Sequence, residues 1–486
     1  MRIPRLLLVL GVLPMLLIRG AFAQEGTGKL AVVSRNPDQN AGSVCADTHL
    51  NITFSAAPTL GNSGQIRIFD AADNKLVDML DVGLPTNRQT YLIGGSSLHA
   101  YPVIITGNTA VIYPHHGVLA YGKTYYVQMD SGVLTDGAAP FAGFGGSADW
   151  VFSTKAAPPP AGVDRVVVAA DGTGDFATVQ GAVDYVPEKN TRHLTINIKN
   201  GTYTEIVCFA GKNNITFLGE DRRQTIVEYS NNNNFQPNLA TPQTPYGGAS
   251  YRRGVFMGLN SSDVVLSNFT IRNTTRKGGS QAEAIVFKEV RGQAEPNTSQ
   301  TILTHMDLYS FQDTLQISGK AYLEDTYIEG DTDYMWGNGP CYFLNCRFKT
   351  LTNGTSFTQT RNTAGHHGFV FVDSQFDGAS GVTTATLGNG SRSSEVVLIN
   401  CALGTMLAPR GWNSRGADNA EYNTTNLSDG KPYDMSKWPV WVKHLTMEKD
   451  AATIANYRDP KWVLEGWTPV LPQPAGAEGQ TGAVER

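Results

Sequence analysis

A short pattern recurs six times in the second half of the chain, and it constrains the fold more than any other feature. Each copy has two or three apolar residues, then Asn, Asp or His, two variable residues and another apolar residue. The polar positions are Asn268, His305, Asp325, Asn345, Asp373 and Asn400. Their successive spacings of 37, 20, 20, 28 and 27 residues are typical of stacked β units with insertions in the connecting loops. The sequence therefore predicts a right-handed parallel β-helix.

Two aspartates have equivalent places in this repeat. Asp313 lies eight residues after His305, and Asp333 lies eight residues after Asp325. Because neighbouring strands are roughly 4.8 Å apart, we expect the two carboxyl groups to lie within about 5 to 6 Å of each other. Two such groups resist ionising together, so one can serve as an acid and the other as a nucleophile. The alternative is that both merely hydrogen-bond turn backbones.

The composition favours β structure and excludes one class of partner. The 486 residues suffice for two domains, and 51 glycines with only 17% charged residues favour strands and tight turns. A net charge of −5 without a basic run argues against binding nucleic acid.

The N-terminus has the three parts of a secretion signal at residues 1–23. Arg2 and Arg5 precede an apolar run from Leu6 to Ile18, and Ala21-Phe22-Ala23 follows. We therefore expect a secreted protein. The apolar run is too short to span a bilayer, so no membrane association is expected after cleavage, although a retained anchor is an alternative.

Residues 27–155 alternate apolar and polar side chains in short runs divided by turn residues, which predicts an all-β sandwich. The stretch resembles bacterial Ig-like modules. A Pro-rich linker at 156–163 follows, then the β-helix domain at 164–470 and a tail at 471–486 that we expect to be disordered. Because the linker separates the two domains, a chain starting near Gly162 is expected to keep the activity of the second domain.

A short amphipathic helix is predicted near the start of the second domain. Phe176, Val179, Val183 and Val186 share one face of it. Such a helix can cover the open end of a β-helix and protect its strand edges.

Seven short motifs, in order, resemble those of the pectin methylesterases (pectinesterases) over about residues 164–467. They are Asp171-Gly-Thr-Gly-Asp-Phe176, Gly201-x-Tyr-x-Glu205, Gln281-Ala-Glu-Ala284, Phe311-Gln-Asp-Thr314, Gly330-Asp-Thr-Asp-Tyr-Met-Trp-Gly337, Thr358-Gln-Thr-Arg361 and Pro409-Arg-Gly-Trp412.

The resemblance implies an enzyme that hydrolyses the methyl esters of methylesterified pectin, releasing methanol without a metal or organic cofactor. We expect the protein to be a monomer. The resemblance also implies that Asp333 is the nucleophile and that Asp313 protonates the departing methanol and then deprotonates water. Gln281 and Gln312 would donate hydrogen bonds to the anionic oxygen of the tetrahedral intermediate.

Further residues are candidates for contacting substrate. Tyr334, Trp336 and Trp412 are expected to face the sugar or, alternatively, to pack in the core. Family members usually follow a Leu-Gly pair with Arg-Pro-Trp, whereas this chain continues after Gly388 with Asn389. Arg392 is therefore the candidate to orient Asp333, unless it is an ordinary exposed loop residue.

Two other functions remain open. The first is a pectate lyase or another polysaccharide depolymerase, which would need a cluster of acidic calcium ligands and a basic proton abstractor. The second is a non-catalytic or weakly active polysaccharide-binding protein, which the departure after Gly388 and the Ig-like module would suit.

Overall fold

The computed structural model describes residues 30–84, 88–137, 139–236, 252–289, 297–388, 394–413 and 418–472. The first of its two parts is a β-sandwich, as predicted. One sheet contains, in spatial order, strands Val32–Asn36, Leu50–Phe54, Thr109–Ile112 and Val103–Thr106. The second contains Ala41–Val44, Val151–Thr154, Thr124–Met129, Gln65–Asp70 and Lys75–Asp81. Two strand pairs complete it: Thr59–Leu60 with Leu134–Thr135, and Gln89–Ile93 with Ser96–Ala100.

The second part is a parallel β-helix built from three sheets, which confirms the predicted fold. The first sheet has strands Arg165–Val168, Leu194–Ile198, Ile215–Gly219, Val264–Ser267, Gln300–Thr304, Lys320–Glu324, Cys341–Leu344, Phe369–Val372, Val396–Ile399, Ala420–Tyr422 and Lys443–His444. The second has Gly201–Thr204, Thr225–Tyr229, Thr270–Asn273, Asp307–Tyr309, Tyr327–Gly330, Arg347–Thr350, Gln375–Gly378, Ala402–Leu403 and Thr425–Asn426. The third has Val207–Ala210, Phe256–Leu259, Ile285–Lys288, Leu315–Ser318, Met335–Asn338, Ser356–Thr360 and Thr386–Gly388.

The repeated polar residue turns the chain from the first sheet into the second. All six predicted positions have a positive φ, between 44° and 63°. Asn, Asp and His tolerate this left-handed conformation better than β-branched or bulky residues, which explains why the pattern uses them. Asn423, with φ 53°, turns one further coil in the same way. The coils therefore continue past Leu403, where the sequence periodicity fades.

Stacked apolar side chains fill the interior of the β-helix. The rings of Phe343 and Phe371 stack at 4.4 Å, and those of Phe348 and Phe376 at 4.7 Å. All five cysteines are free and buried, and Cys346 and Cys401 pack in the hydrophobic core as small apolar residues.

In the described part of the chain, three helices flank the strands. Val179–Tyr185 packs over the N-terminal coils, and Glu205 accepts hydrogen bonds from the backbone nitrogens of Val179 and Gln180 at 2.8 and 2.9 Å. A carboxylate is stabilised at a helix N-terminus, which accounts for the acidic end of its motif. Met447–Arg458 and Pro460–Val463 cover part of the outer face of the first sheet.

The sandwich packs directly on the β-helix, contrary to the expected separation of the two domains by the linker. Asp47 accepts hydrogen bonds from the backbone nitrogens of Ala177 and Thr178 at 3.0 and 2.8 Å. His99 and Gln236 exchange two hydrogen bonds, at 2.8 and 2.7 Å. One hydrophobic core is continuous through both domains. The two parts therefore support each other.

Two expectations concern the ends of the chain. The predicted signal at residues 1–23 and the tail beyond Pro472 lie outside the described residues. Within the described ranges, no helix is both long enough and apolar enough to cross a membrane.

Candidate active site

Asp313 and Asp333 stack on consecutive coils, as their spacing predicts. Gln312 and Thr332 form a parallel bridge, and the backbone nitrogen of Asp313 donates to the carbonyl of Thr332 at 3.0 Å. Both aspartates lie between the second and third sheets with positive φ, 65° for Asp313 and 46° for Asp333. This second left-handed turn directs two carboxyl groups toward the same side of the coil.

The environment of Asp313 separates it chemically from Asp333. The side chain of Asp313 is largely buried, and burial raises its pKa to about 7. This pKa of about 7 already includes a rise from the negative charge of Asp333 and the opposing effects of Arg253 and Arg361. Arg253 Nη2 donates to Asp313 Oδ2 at 2.8 Å. Asp313 can therefore hold a proton near neutral pH, as a general acid must.

Asp333 is more exposed and is held from the following coil. Gln359 Nε2 donates to Asp333 Oδ2 at 2.7 Å, and Arg361 donates to the Oε1 of Gln359. The guanidinium of Arg361 therefore holds the side-chain amide of Gln359 in place. A carboxylate that accepts such a bond is held in one orientation.

The two glutamines lie on consecutive coils, and Gln312 immediately precedes Asp313. Ala282 donates its backbone nitrogen to the carbonyl of Gln312 at 3.1 Å, so Gln281 lies one coil before Gln312. Both side chains are half-buried. Gln312, Phe311 and Thr332 line a groove of about 260 Å³ beside the aspartates.

The predicted aromatic residues have different environments. Trp336 lies under two cations, with its ring 4.8 Å from the guanidinium of Arg361 and 5.7 Å from that of Arg253. Its position next to the carboxylates agrees with a site residue. Its side chain is nevertheless only 6% exposed, so any contact with a ligand would be through one edge.

The structure places Tyr334 and Trp412 in the core, which corrects the expectation that they face the sugar. Tyr334 is 0% exposed, its ring lies 5.7 Å from that of Phe357, and its hydroxyl pairs with Thr350 at 3.3 Å. Trp412 is 1% exposed and packs edge-to-face with Trp438 at 6.0 Å. Neither can offer a ring face to a sugar.

Comparison with known protein families identifies the family of this chain. The family model described as Pectinesterase matches residues 165–455, and a model described as Bacterial Ig-like domain matches residues 26–154. The first match covers more than half of the chain. The chain belongs to the pectinesterase family.

Individual pectinesterases are similar at moderate identity. A protein of Arabidopsis thaliana named putative pectinesterase/pectinesterase inhibitor 38 is 29% identical over 265 residues, which are 51% of each chain. The present chain thus spans about half the length of that relative. A pectinesterase of Ralstonia solanacearum is 28% identical over 280 residues, covering 49% of this chain and 69% of its own. The structure of carrot pectin methylesterase aligns with a TM-score of 0.51 at 23% identity, over 65% of this chain and 95% of the carrot chain.

The pectinesterase motifs contain some of the remaining site residues, but not all of them. Three further site residues stand inside motifs that identify the family: Glu283, Gln359 and Arg361. The sequence could therefore predict that they lie near the site, but not what they do there. Arg253 belongs to no motif and lies 60 residues before the aspartate it contacts. Arg392, the candidate to orient Asp333, lies outside the described residues.

Proposed function

We propose that this protein hydrolyses the methyl esters of homogalacturonan, giving methanol and carboxylate-bearing pectin. The observation that supports this most is the pairing of a buried, proton-holding Asp313 with a more exposed Asp333 on adjacent coils. Membership of the pectinesterase family supports the same reaction. A pectin methylesterase with a similar fold was solved in complex with a hexasaccharide, and we extend that class of ligand to this chain.

In the proposed mechanism, Asp333 attacks the ester carbonyl carbon and forms a tetrahedral intermediate. The amides of Gln281 and Gln312 stabilise its anionic oxygen. The intermediate collapses by breaking the bond to the methoxy oxygen, which takes the proton of Asp313 and leaves as methanol. Asp313, now ionised, removes a proton from water, which attacks the acyl group on Asp333 and releases the galacturonate carboxylate.

The proposal extends to where the enzyme works. Its substrate is a polysaccharide outside cells, and the signal pattern at residues 1–23 fits a secreted protein. We propose that it acts as a secreted monomer without a cofactor.

The direct test is methanol release from highly methylesterified pectin by the purified protein. An esterase gives methanol and free carboxylates in equal amounts while the polymer keeps its length. A lyase would instead shorten the polymer and generate unsaturated ends, and a binding protein would retain pectin on a column without releasing methanol. Either of these results would contradict the proposal.

The pKa of Asp313 predicts how the rate depends on pH. Burial raises this pKa to about 7, and the first chemical step needs the protonated form. We therefore expect kcat/KM for methanol release to fall as pH rises through about 7, about tenfold per pH unit above it. The measurement is a pH–rate profile, with circular dichroism showing that the fold persists throughout. A rate that is constant or rises up to about two pH units above that pKa would argue against Asp313 as the acid.

Gln359 gives a prediction for the nucleophile. Replacing it by leucine removes the 2.7 Å hydrogen bond to Asp333 and should lower kcat at least about tenfold, because hydrogen bonds to charged groups contribute roughly 1.5 to 3 kcal/mol. Gln375→Leu, on an exposed position of the second sheet, is the control and should leave kcat unchanged. Equal rates for the two variants would show that Gln359 does not orient Asp333.

A further inference from the structure

A third buried carboxylate lies behind the two aspartates. Glu283 is 0% exposed and lies on the coil that precedes Asp313, in register with it, because Ile285 pairs with Leu315. The proposed reaction assigns it no role. Burial raises the pKa of Glu283, and the charge of Arg253 opposes that rise.

One arginine joins this carboxylate to the proposed acid. Arg253 Nε donates to both oxygens of Glu283, at 2.8 and 3.0 Å, while Nη2 donates to Asp313 Oδ2 at 2.8 Å. Because both oxygens of Glu283 accept bonds, the geometry fits the ionised carboxylate. The planar guanidinium thereby contacts two acids on successive coils at once, which a lysine cannot do with the same fixed geometry.

This arrangement fixes a group that must change its protonation state. Asp313 receives a charge-assisted hydrogen bond on Oδ2, which fixes the orientation of its carboxyl group. The guanidinium is itself fixed from three sides, by Glu283, by Asp313 and by the ring of Trp336 at 5.7 Å. A buried ion pair with such contacts is rigid, and removing one partner leaves an uncompensated charge.

We propose that Arg253, held in place by Glu283, is a positioning residue that orients the carboxyl group of Asp313 toward the departing methanol and sets the pH range of the enzyme. The inference rests on the proposed esterase function, and it assigns to Arg253 and Glu283 the role of orienting the proposed acid, Asp313. Arg253 and Glu283 touch no reacting atom. They act through the orientation and charge state of Asp313.

The charged groups facing this network come from several coils. Asp313 faces Arg253, Asp333 and Arg361, and Glu283 faces Arg253 and Asp313. Lys288, on the third sheet, interacts with Arg253, Glu283 and Arg361; burial lowers its pKa and the two arginines lower it further. Since Arg253 favours the ionised form of Asp313, its removal should make Asp313 hold its proton to higher pH.

The test compares pH profiles of variants with opposite expected shifts. Arg253→Met should move the alkaline limb of kcat/KM upward by about one pH unit and lower kcat about tenfold or more. Glu283→Gln leaves Arg253 without its counter-charge and should move the limb downward. Arg253→Lys should restore the position of the limb but not kcat, because a point charge cannot bind both acids.

Two controls keep the test decisive. Arg272→Met removes another arginine that pairs with a glutamate on the neighbouring coil, Glu228 at 2.9 Å, and should change neither limb nor kcat. Arg253→Met can fold poorly because it leaves Glu283 buried and unpaired, so the double variant Arg253→Met/Glu283→Gln is measured beside it. That double variant should fold like the parent and show a smaller upward shift of the limb, because Arg253 contacts Asp313 directly whereas Glu283 acts through Arg253.

A second readout separates this inference from the proposed function. The protonation of Asp313 is followed by NMR in protein carrying ¹³C-labelled aspartate carboxyl carbons, with its signal assigned from its loss in Asp313→Asn. Opposite shifts of this titration in Arg253→Met and Glu283→Gln support the inference even if the parent releases no methanol, which would overturn only the esterase function. Shifts in the same direction, or none, overturn the role of Arg253.

Discussion

Replacing Asp333 by asparagine is expected to lower kcat for methanol release by at least about four orders of magnitude, the size of effect seen when a nucleophile is removed. The fold should persist. Asp333 has φ 46°, and asparagine tolerates this left-handed conformation as well as aspartate does. The half-exposed side chain also contributes little to the core. The measurement is steady-state kinetics together with circular dichroism and thermal unfolding.

The matched control is Asp373→Asn. Asp373 has φ 50°, so the same substitution is made on the same kind of left-handed turn, away from the site. Neighbouring coils already carry asparagine at the equivalent positions, Asn345 and Asn400. This variant should keep the parent's rate. Substantial turnover by Asp333→Asn would show that another group attacks the ester.

A chain that begins near Gly162 is expected to lose much of its stability, although it contains every pectinesterase motif. Removing the sandwich exposes apolar surface of the helix Val179–Tyr185 and takes away the Asp47 acceptor from its N-terminus. A few hundred Å² of newly exposed apolar surface corresponds to several kcal/mol at about 25 cal/mol per Å². For a domain of this size we expect a midpoint of thermal unfolding lower by about 10 °C or more, or insoluble protein. A truncated chain that unfolds at the parent's temperature would contradict this expectation.

Two adjacent glycines test the same interface in the intact chain. Gly94 and Gly95 both have positive φ, 54° and 78°, so alanine is strained at either position. A Cβ on Gly94 would lie 1.9 Å from the carbonyl oxygen of Cys208 in the β-helix, whereas nothing lies within 4 Å of one on Gly95. Gly94→Ala should therefore lower the unfolding temperature clearly more than Gly95→Ala. Equal decreases in unfolding temperature would show that the interface between the domains adjusts to the added Cβ at little cost.

Local pattern was enough to predict the β-helix and the pairing of its aspartates. The repeated polar residues adopt a left-handed backbone conformation, which only a few residue types do readily. The sequence therefore shows Asn, Asp or His at these positions, for example at Asn268 and His305. A fixed offset of eight residues from that turn put Asp313 and Asp333 in register. The orientation of neighbouring side chains was not fixed in the same way, since Tyr334 and Trp412 could be assigned to the core only from their burial.

The sequence by itself determined which residues repeat, because backbone conformation and strand alternation are local properties that each coil expresses in its own residues. Tertiary structure alone decided which distant residues meet. Arg253 reaches Asp313 across 60 residues, and Asp47 reaches the helix at Thr178 across 131 residues. Such contacts depend on loop lengths and on how one domain packs against another, and neither leaves a periodic pattern along the chain. The contact of Arg253 with Asp313 and the packing of the two domains are therefore properties of the folded molecule.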